Sequence, residues 1–246
     1  MRRSRKALAV LPAAAVAVAG FAGAGGPAAS ARTSASARAS GISPIARTRA
    51  ETAISVRITA LDAANTLVQQ TGWFAGSDQA ALENIITGDL NGNGQAPGLN
   101  SLAVTIRNET DPTKFRAEAA SIFADYRVFA LALPQVKLVR ASDRMTTDTV
   151  PTLKQLDTDL EQAIAQEAAE GKNVQAAQAA VHDLEAQIAS IGQKTSGVSA
   201  ALLALTPAQW NANHGVVSPY RNDVHAAVAA ARHAQTDVRT ALKDLQ

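Results

Sequence analysis

From Val174 to Leu205 the apolar residues never leave an alternation of three and four. Val174, Ala177, Val181, Leu184, Ile188, Ile191, Thr195, Val198, Leu202 and Leu205 fall on one helical stripe. A helix over this span would run roughly 48 Å at 1.5 Å per residue. A stripe that long needs partner helices laid alongside at shallow angles, within the chain or in a self-associating coiled coil. The loops on either side are short, which favours partners within the chain. A second stripe closes the sequence: Val217, Tyr220, Val224, Ala227, Ala231, Ala234, Val238, Ala241 and Leu245. Its many alanines let backbones approach closely, though each buries less apolar area than leucine. These stripes predict an all-α fold, an antiparallel long-helix bundle with coiled-coil-like heptad packing.

The upstream chain fits the same scheme. Ile54, Ile58, Leu61, Asn65 and Val68 share one face of a helix ended by Gly72. Ser77 is placed to cap the next, whose inward face is Leu82, Ile85 and Ile86. Leu99, Leu102 and Ile106 form a short face, and Thr110 or Asp111 caps a helix with Pro112 in its first turn. Phe115 to Val139 holds four of the nine aromatic residues and the densest apolar run outside the N-terminus. Phe115, Ala119, Ile122, Tyr126, Phe129, Leu133 and Val136 keep helical steps straight through Pro134, while Val128, Leu131 and Leu138 lie opposite. A helix apolar nearly all round is expected at the centre of a bundle, kinked or broken at Pro134 and again at Pro151. Asn173 caps the long stripe, Thr206-Pro207-Ala208-Gln209 is a capping box with a first-turn proline, and Ser218-Pro219 repeats the start signal.

Export is the expectation for the N-terminus. Arg2, Arg3, Arg5 and Lys6 precede an Ala/Val/Leu stretch from Ala7 to Gly23, and Ala29-Ser30-Ala31 offers a small-x-small cleavage site. Residues 1–31 thus read as a signal peptide in preference to an uncleaved anchor; Pro12, Gly20, Gly23 and the short apolar length oppose an anchor. Residues 32–46 read as a flexible basic Ser/Ala/Arg-rich arm, and 47–246 as one helical-bundle domain. The first fifty residues carry eight Arg or Lys and no acid, whereas from Glu51 onward fifteen Arg or Lys face twenty-one Asp or Glu. The basic character therefore belongs to the leader and arm. A body of net charge −6 lacks the cationic surface that phosphate recognition needs, which excludes a nucleic-acid partner. The absence of cysteine excludes disulfides, thiol catalysis and thiolate metal sites. The C-terminus carries no hydrophobic tail, so no transmembrane anchor is expected once the leader is cleaved.

Three stretches, Ile122 to Pro134, Leu138 to Asp143 and Leu205 to His214, resemble a group of secreted, all-helical actinobacterial proteins of unknown function. The most specific parts are Tyr126-Arg127-Val128 and Pro207 to His214. The resemblance implies export and a long-helix bundle, and it carries over no catalytic or binding residue. The Asn-Gly-Asn-Gly segment near residue 92 departs from it.

Few residues hint at chemistry. Asp89, Asn91 and Asn93, followed by Gly94, match the first half of a calcium loop. Pro97 and Asn100 stand where the later ligands belong, so ordinary turn chemistry is the stronger reading. Trp73, Trp210, Asn211, Asn213 and His214 form a candidate polar end corner for a small ligand, although paired aromatics at a helix corner more often plug a bundle end. Asp125, Arg127, Arg140 and Asp143 flank the apolar centre and are candidates for core ion pairs that fix register. The four histidines, His182, His214, His225 and His233, show no ligand spacing, and no nucleophile elbow, phosphate loop or dinucleotide fingerprint occurs. The expectation is an exported, non-catalytic protein without a cofactor, secreted or loosely associated with the cell wall. It would act as an interaction or structural module toward a protein or cell-envelope partner; a small-ligand or weak cation-binding module is the alternative.

Overall fold

The computed structural model describes residues 41–70, 72–94 and 96–245. The signal peptide and most of the basic arm lie outside the described residues. Within them the chain is all-α: α1 Pro44–Val68, α2 Gly76–Asn91, α3 Leu99–Asn108, α4 Pro112–Ala124, α5 Leu133–Arg144, α6 Val150–Ala169, α7 Gln175–Thr195, α8 Val198–Leu203, α9 Pro207–Ala212 and α10 Ser218–Asp244. The helical start lies three residues earlier than expected, because Pro44 takes the first helical position, where its missing N–H costs nothing.

Two apolar cores form. The first gathers residues from α1 to α5, α8 and the start of α10; the second gathers Met145 and the facing stripes of α6, α7 and α10. In the second core α7 and α10 run antiparallel, since Lys194 at the end of α7 pairs with Asp223 near the start of α10 at 3.0 Å. Of the seam read from the sequence, Val217, Val224, Ala227, Ala231, Ala234, Val238 and Ala241 are buried and Tyr220 and Leu245 half-buried; Ala230, off that seam, is buried as well.

All ten residues of the long stripe are buried, but they do not lie on one helix. The helix stops at Thr195 and restarts at Val198, because Gly197 adopts a left-handed φ of 69°. The stripe survives the break while its partners change: Val174 to Ile191 belong to the second core, Val198 to Leu205 to the first.

The central stretch departs further from expectation. Phe123 and Phe129 are each 49 % exposed, so the segment is not apolar-buried all round. The helix breaks over Asp125 to Arg127 and resumes as a π turn, Val128–Ala132, which resets the phase and buries Val128, Leu131 and Ala132 instead. At Pro134 the helix is not cut. The N–H of Leu133 reaches back five residues to the Val128 carbonyl, and the wider turn gives the proline ring room beside the carbonyls it would otherwise strike. The same device recurs before Pro151, where the Val150 N–H bonds the Met145 carbonyl across a second π turn, Met145–Thr149. From Val128 to Ala169 the helix is continuous.

Three polar side chains lock the first core. Arg47 donates to the Ile106, Arg107 and Glu109 carbonyls at the end of α3 and lies over the Phe115 ring, at 5.6 Å. A cation on the orphan carbonyls of a helix C-terminus satisfies both their lone pairs and the helix dipole. Arg47→Ala is expected to lower stability by about 1–3 kcal/mol in urea unfolding, with Arg47→Lys recovering part of it. Gln135 is fully buried and donates to the Leu202 and Leu205 carbonyls at 2.7 and 3.0 Å. Asp143 is the third.

Candidate functional site

The corner between α1 and α2 turns at Gly72, and its two aromatics part ways. Phe74 enters the first core, while Trp73 stays 39 % exposed. Arg140 on α5 stacks over the indole, its guanidinium carbon 3.4 Å from the ring centroid. One turn further, Arg144 approaches Asp148 at 3.7 Å. Between this corner and the second π turn opens a cleft of about 500 Å³, lined by Gly72, Trp73, Phe74, Arg144, Thr147 and Asp148. Burial, and then the neighbouring Arg144 charge, lower the pKa of Arg140. The cleft thus offers a flat apolar platform edged by a cation, a carboxylate and a hydroxyl.

Asp143 lies buried behind it. Its carboxylate accepts the Ala75 N–H at 2.9 Å and the Ser199 hydroxyl at 2.7 Å, tying α5 to the α1–α2 corner and to α8. Burial pushes its pKa up and the nearby Asp78 adds to this, against the Ser199 and Ala75 bonds. Asp143 also corrects the expected cap of α2. The helix begins at Gly76 with Ala75 as its N-cap residue, and Ser77 turns its hydroxyl to Asp78 instead.

Trp210 sits at a different place. Thr206 and Gln209 form the expected capping box, which presents Trp210 on α9. The indole meets His214 with centroids 4.1 Å apart and planes at 31°, and Arg127 lies over it at 4.5 Å. Asn211 accepts from Arg127 Nε at 2.5 Å and donates to the Ala124 carbonyl at 2.9 Å, while Asn213 accepts the Gly215 N–H. These residues close the helix break at Asp125 to Arg127. The single corner expected of Trp73, Trp210, Asn211, Asn213 and His214 is therefore two, because Trp73 rests on Arg140 and Trp210 on Arg127, on either side of the first π turn. The expected core ion pairs do not form among the described residues: Arg127 and Arg140 turn to indoles, Asp143 takes backbone and hydroxyl donors, and Asp125 is exposed.

The calcium-loop candidate resolves as a turn. Asp89 and Asn91 lie on the last turn of α2; the Asn91 side-chain oxygen accepts from Asn100 at 2.9 Å and that of Asn93 from the Ala96 N–H at 3.1 Å. Among the described residues no three His, Cys, Asp or Glu gather as metal ligands. Asp89 is instead half-buried. Burial pushes its pKa to about 7. The Tyr126 hydroxyl, which donates to the Pro97 carbonyl, is raised by burial and by the charges of Asp125 and Asp89. The folded Asp89 carboxyl keeps its proton up to about pH 7, an unfolded one only to 3.8. Between these values the folded state binds more protons, so stability falls as pH rises through the window. Asp89→Asn is expected to raise stability at pH 8 by about 1–2 kcal/mol and to change little at pH 4, in paired thermal melts. Asp157 on α6 and Asp237 on α10, both half-buried and raised by burial and then by Glu185 and Asp183 respectively, act in the same direction.

Sequence reasoning missed Arg57 as well as Arg47 and Gln135. Arg57 lies between Phe123 and Phe129, at 4.4 and 5.4 Å, so the exposed phenylalanines carry a cationic cover. No local motif marks any of the three, since each partner lies on another helix. No family model matches the chain, and neither a curated protein nor a solved structure does.

Proposed function

We propose that this chain is an exported helical module that works by association and not by catalysis, outside the cell or loosely at its envelope. The observation that carries this reading is where the polar side chains go. Gln135, Asp143, Arg47 and Tyr126 are bound to backbone groups, and Arg57, Arg127 and Arg140 lie on aromatic rings. Several aromatic–arginine faces reach the surface, an arrangement that suits binding. The basic leader with its Ala29-Ser30-Ala31 site supports the location, as does the resemblance to secreted helical proteins.

The test is expression of the full chain in an export-competent host, followed by mass spectrometry of the product's N-terminus in the medium and wall fractions. A product starting at Arg32 in either fraction is expected. A full-length chain held inside the cell would end the reading on location. Light scattering after size exclusion, with co-sedimentation on isolated wall material, tests association: a strict monomer that ignores the wall would end that part.

A further inference from the structure

The cleft beside Trp73 carries features that core packing does not call for. An indole 39 % exposed sits next to a phenylalanine that is buried, so the chain could have hidden this aromatic and did not. Arg140 holds the ring from one side, which fixes its orientation in advance. Arg144 and Asp148 are 3.7 Å apart and 37 % and 65 % exposed. That separation is beyond a charge-assisted hydrogen bond, so both keep hydrogen-bonding capacity for a third group. The rim that bears Thr147 and Asp148 is the second π turn, the one that makes room for Pro151.

We propose that this cleft binds a pyranose sugar carrying a carboxylate. The C–H face of a pyranose is flat and apolar and matches an indole platform, while its rim of hydroxyls needs donors and acceptors together. Arg144 supplies a planar fork for the carboxylate, and Asp148 and Thr147 supply acceptors for ring hydroxyls. Charge sets the preference for an acidic sugar. Arg140 and Arg144 face the Asp148 carboxylate at the rim, with Asp143, its pKa raised by burial, behind them, and an anion placed at the rim relieves the repulsion between the two cations. The cleft volume of about 500 Å³ holds one ring with its substituents. This inference does not depend on export.

Saturation-transfer NMR on the full chain, with glucuronate, glucose and inorganic phosphate at matched ionic strength, tests it. Emission of Trp73 in a Trp210→Phe background reads the same event. The expected result is saturable glucuronate binding of roughly millimolar strength, at least tenfold weaker glucose binding and no effect of phosphate. Arg144→Gln should bring glucuronate down to the level of glucose, and Trp73→Leu should abolish both. Loss of all sugar signals in the wild-type chain overturns the proposal. Phosphate competing as well as glucuronate overturns it in favour of a bare anion site, and glucose binding equally well removes the carboxylate. Should Trp73→Leu fail to fold, the wild-type titrations and the surface variant Arg144→Gln still decide.

Discussion

Gly98→Ala is expected to lower stability by about 3 kcal/mol or more, since overpacking against backbone cannot relax as side chains do. The reason is crowding and not conformation. Gly98 has an ordinary φ of −83°, but a Cβ there would lie 2.4 Å from Asn91 C, Gly92 N and Leu90 O. Those atoms form the end of α2, and the segment is pinned from both sides. Gly92 and Pro97 bridge, and the Tyr126 hydroxyl holds the Pro97 carbonyl. For a domain of this size the loss corresponds to a melting point lower by roughly 6–12 °C. Gly94→Ala is the control: its φ of 81° makes alanine strained, yet nothing lies within 4 Å of the new atom. A cost of about 1 kcal/mol is expected there. Equal effects at the two glycines would show that the close approach of α2 to the start of α3 is wrong.

Gln135→Leu is expected to cost about 2–4 kcal/mol although it replaces a buried polar residue by an apolar one of similar size. The burial of leucine is favourable, but the carbonyls at the end of α8 stay where they are. Leu205 loses the donor from Gln135; Leu202 keeps the Leu205 N–H and loses its second partner. A stranded buried carbonyl carries its full desolvation penalty. The loss should concentrate locally, so hydrogen exchange across α8 should quicken by more than exchange in α7. A stability equal to wild type would mean that water reaches these carbonyls and that Gln135 is not their essential donor.

The fold class was legible because burial follows periodicity. Leu99, Leu102 and Ile106, the α10 seam from Val224 to Ala241 and every member of the long stripe are buried as their spacing requires. Local capping was legible for the same reason: Asp111 accepts the Thr113 and Lys114 N–H groups, and Asn173 accepts the Gln175 N–H. What periodicity cannot register is a change of phase. The step from Thr195 to Val198 is three residues whether or not Gly197 leaves the helix, so the break is invisible in the stripe. Phe129 fell on the expected face only if the helix ran unbroken through Asp125 to Arg127. Tertiary partners were the other blind spot. Arg47, Arg57, Arg127 and Arg140 find carbonyls or rings contributed by other parts of the chain, and the charge of Arg127 and Arg140 invited ion pairing with Asp125 and Asp143 that geometry does not deliver.

The paired π turns have a meaning for how this chain tolerates change. Relative to an α-helix, a π turn holds one surplus residue, and one residue is a rotation of about 100° around the axis. The two turns therefore act as phase shifters on a single rod. The second lies where the rod leaves the first core and joins the second, between Val139 and Leu153. Removing one residue from Met145–Thr149 would straighten the local hydrogen bonding and yet point every downstream apolar residue of α6 away from α7 and α10. The alignment between the two halves of the molecule is thus stored as an integer, the number of residues between two prolines.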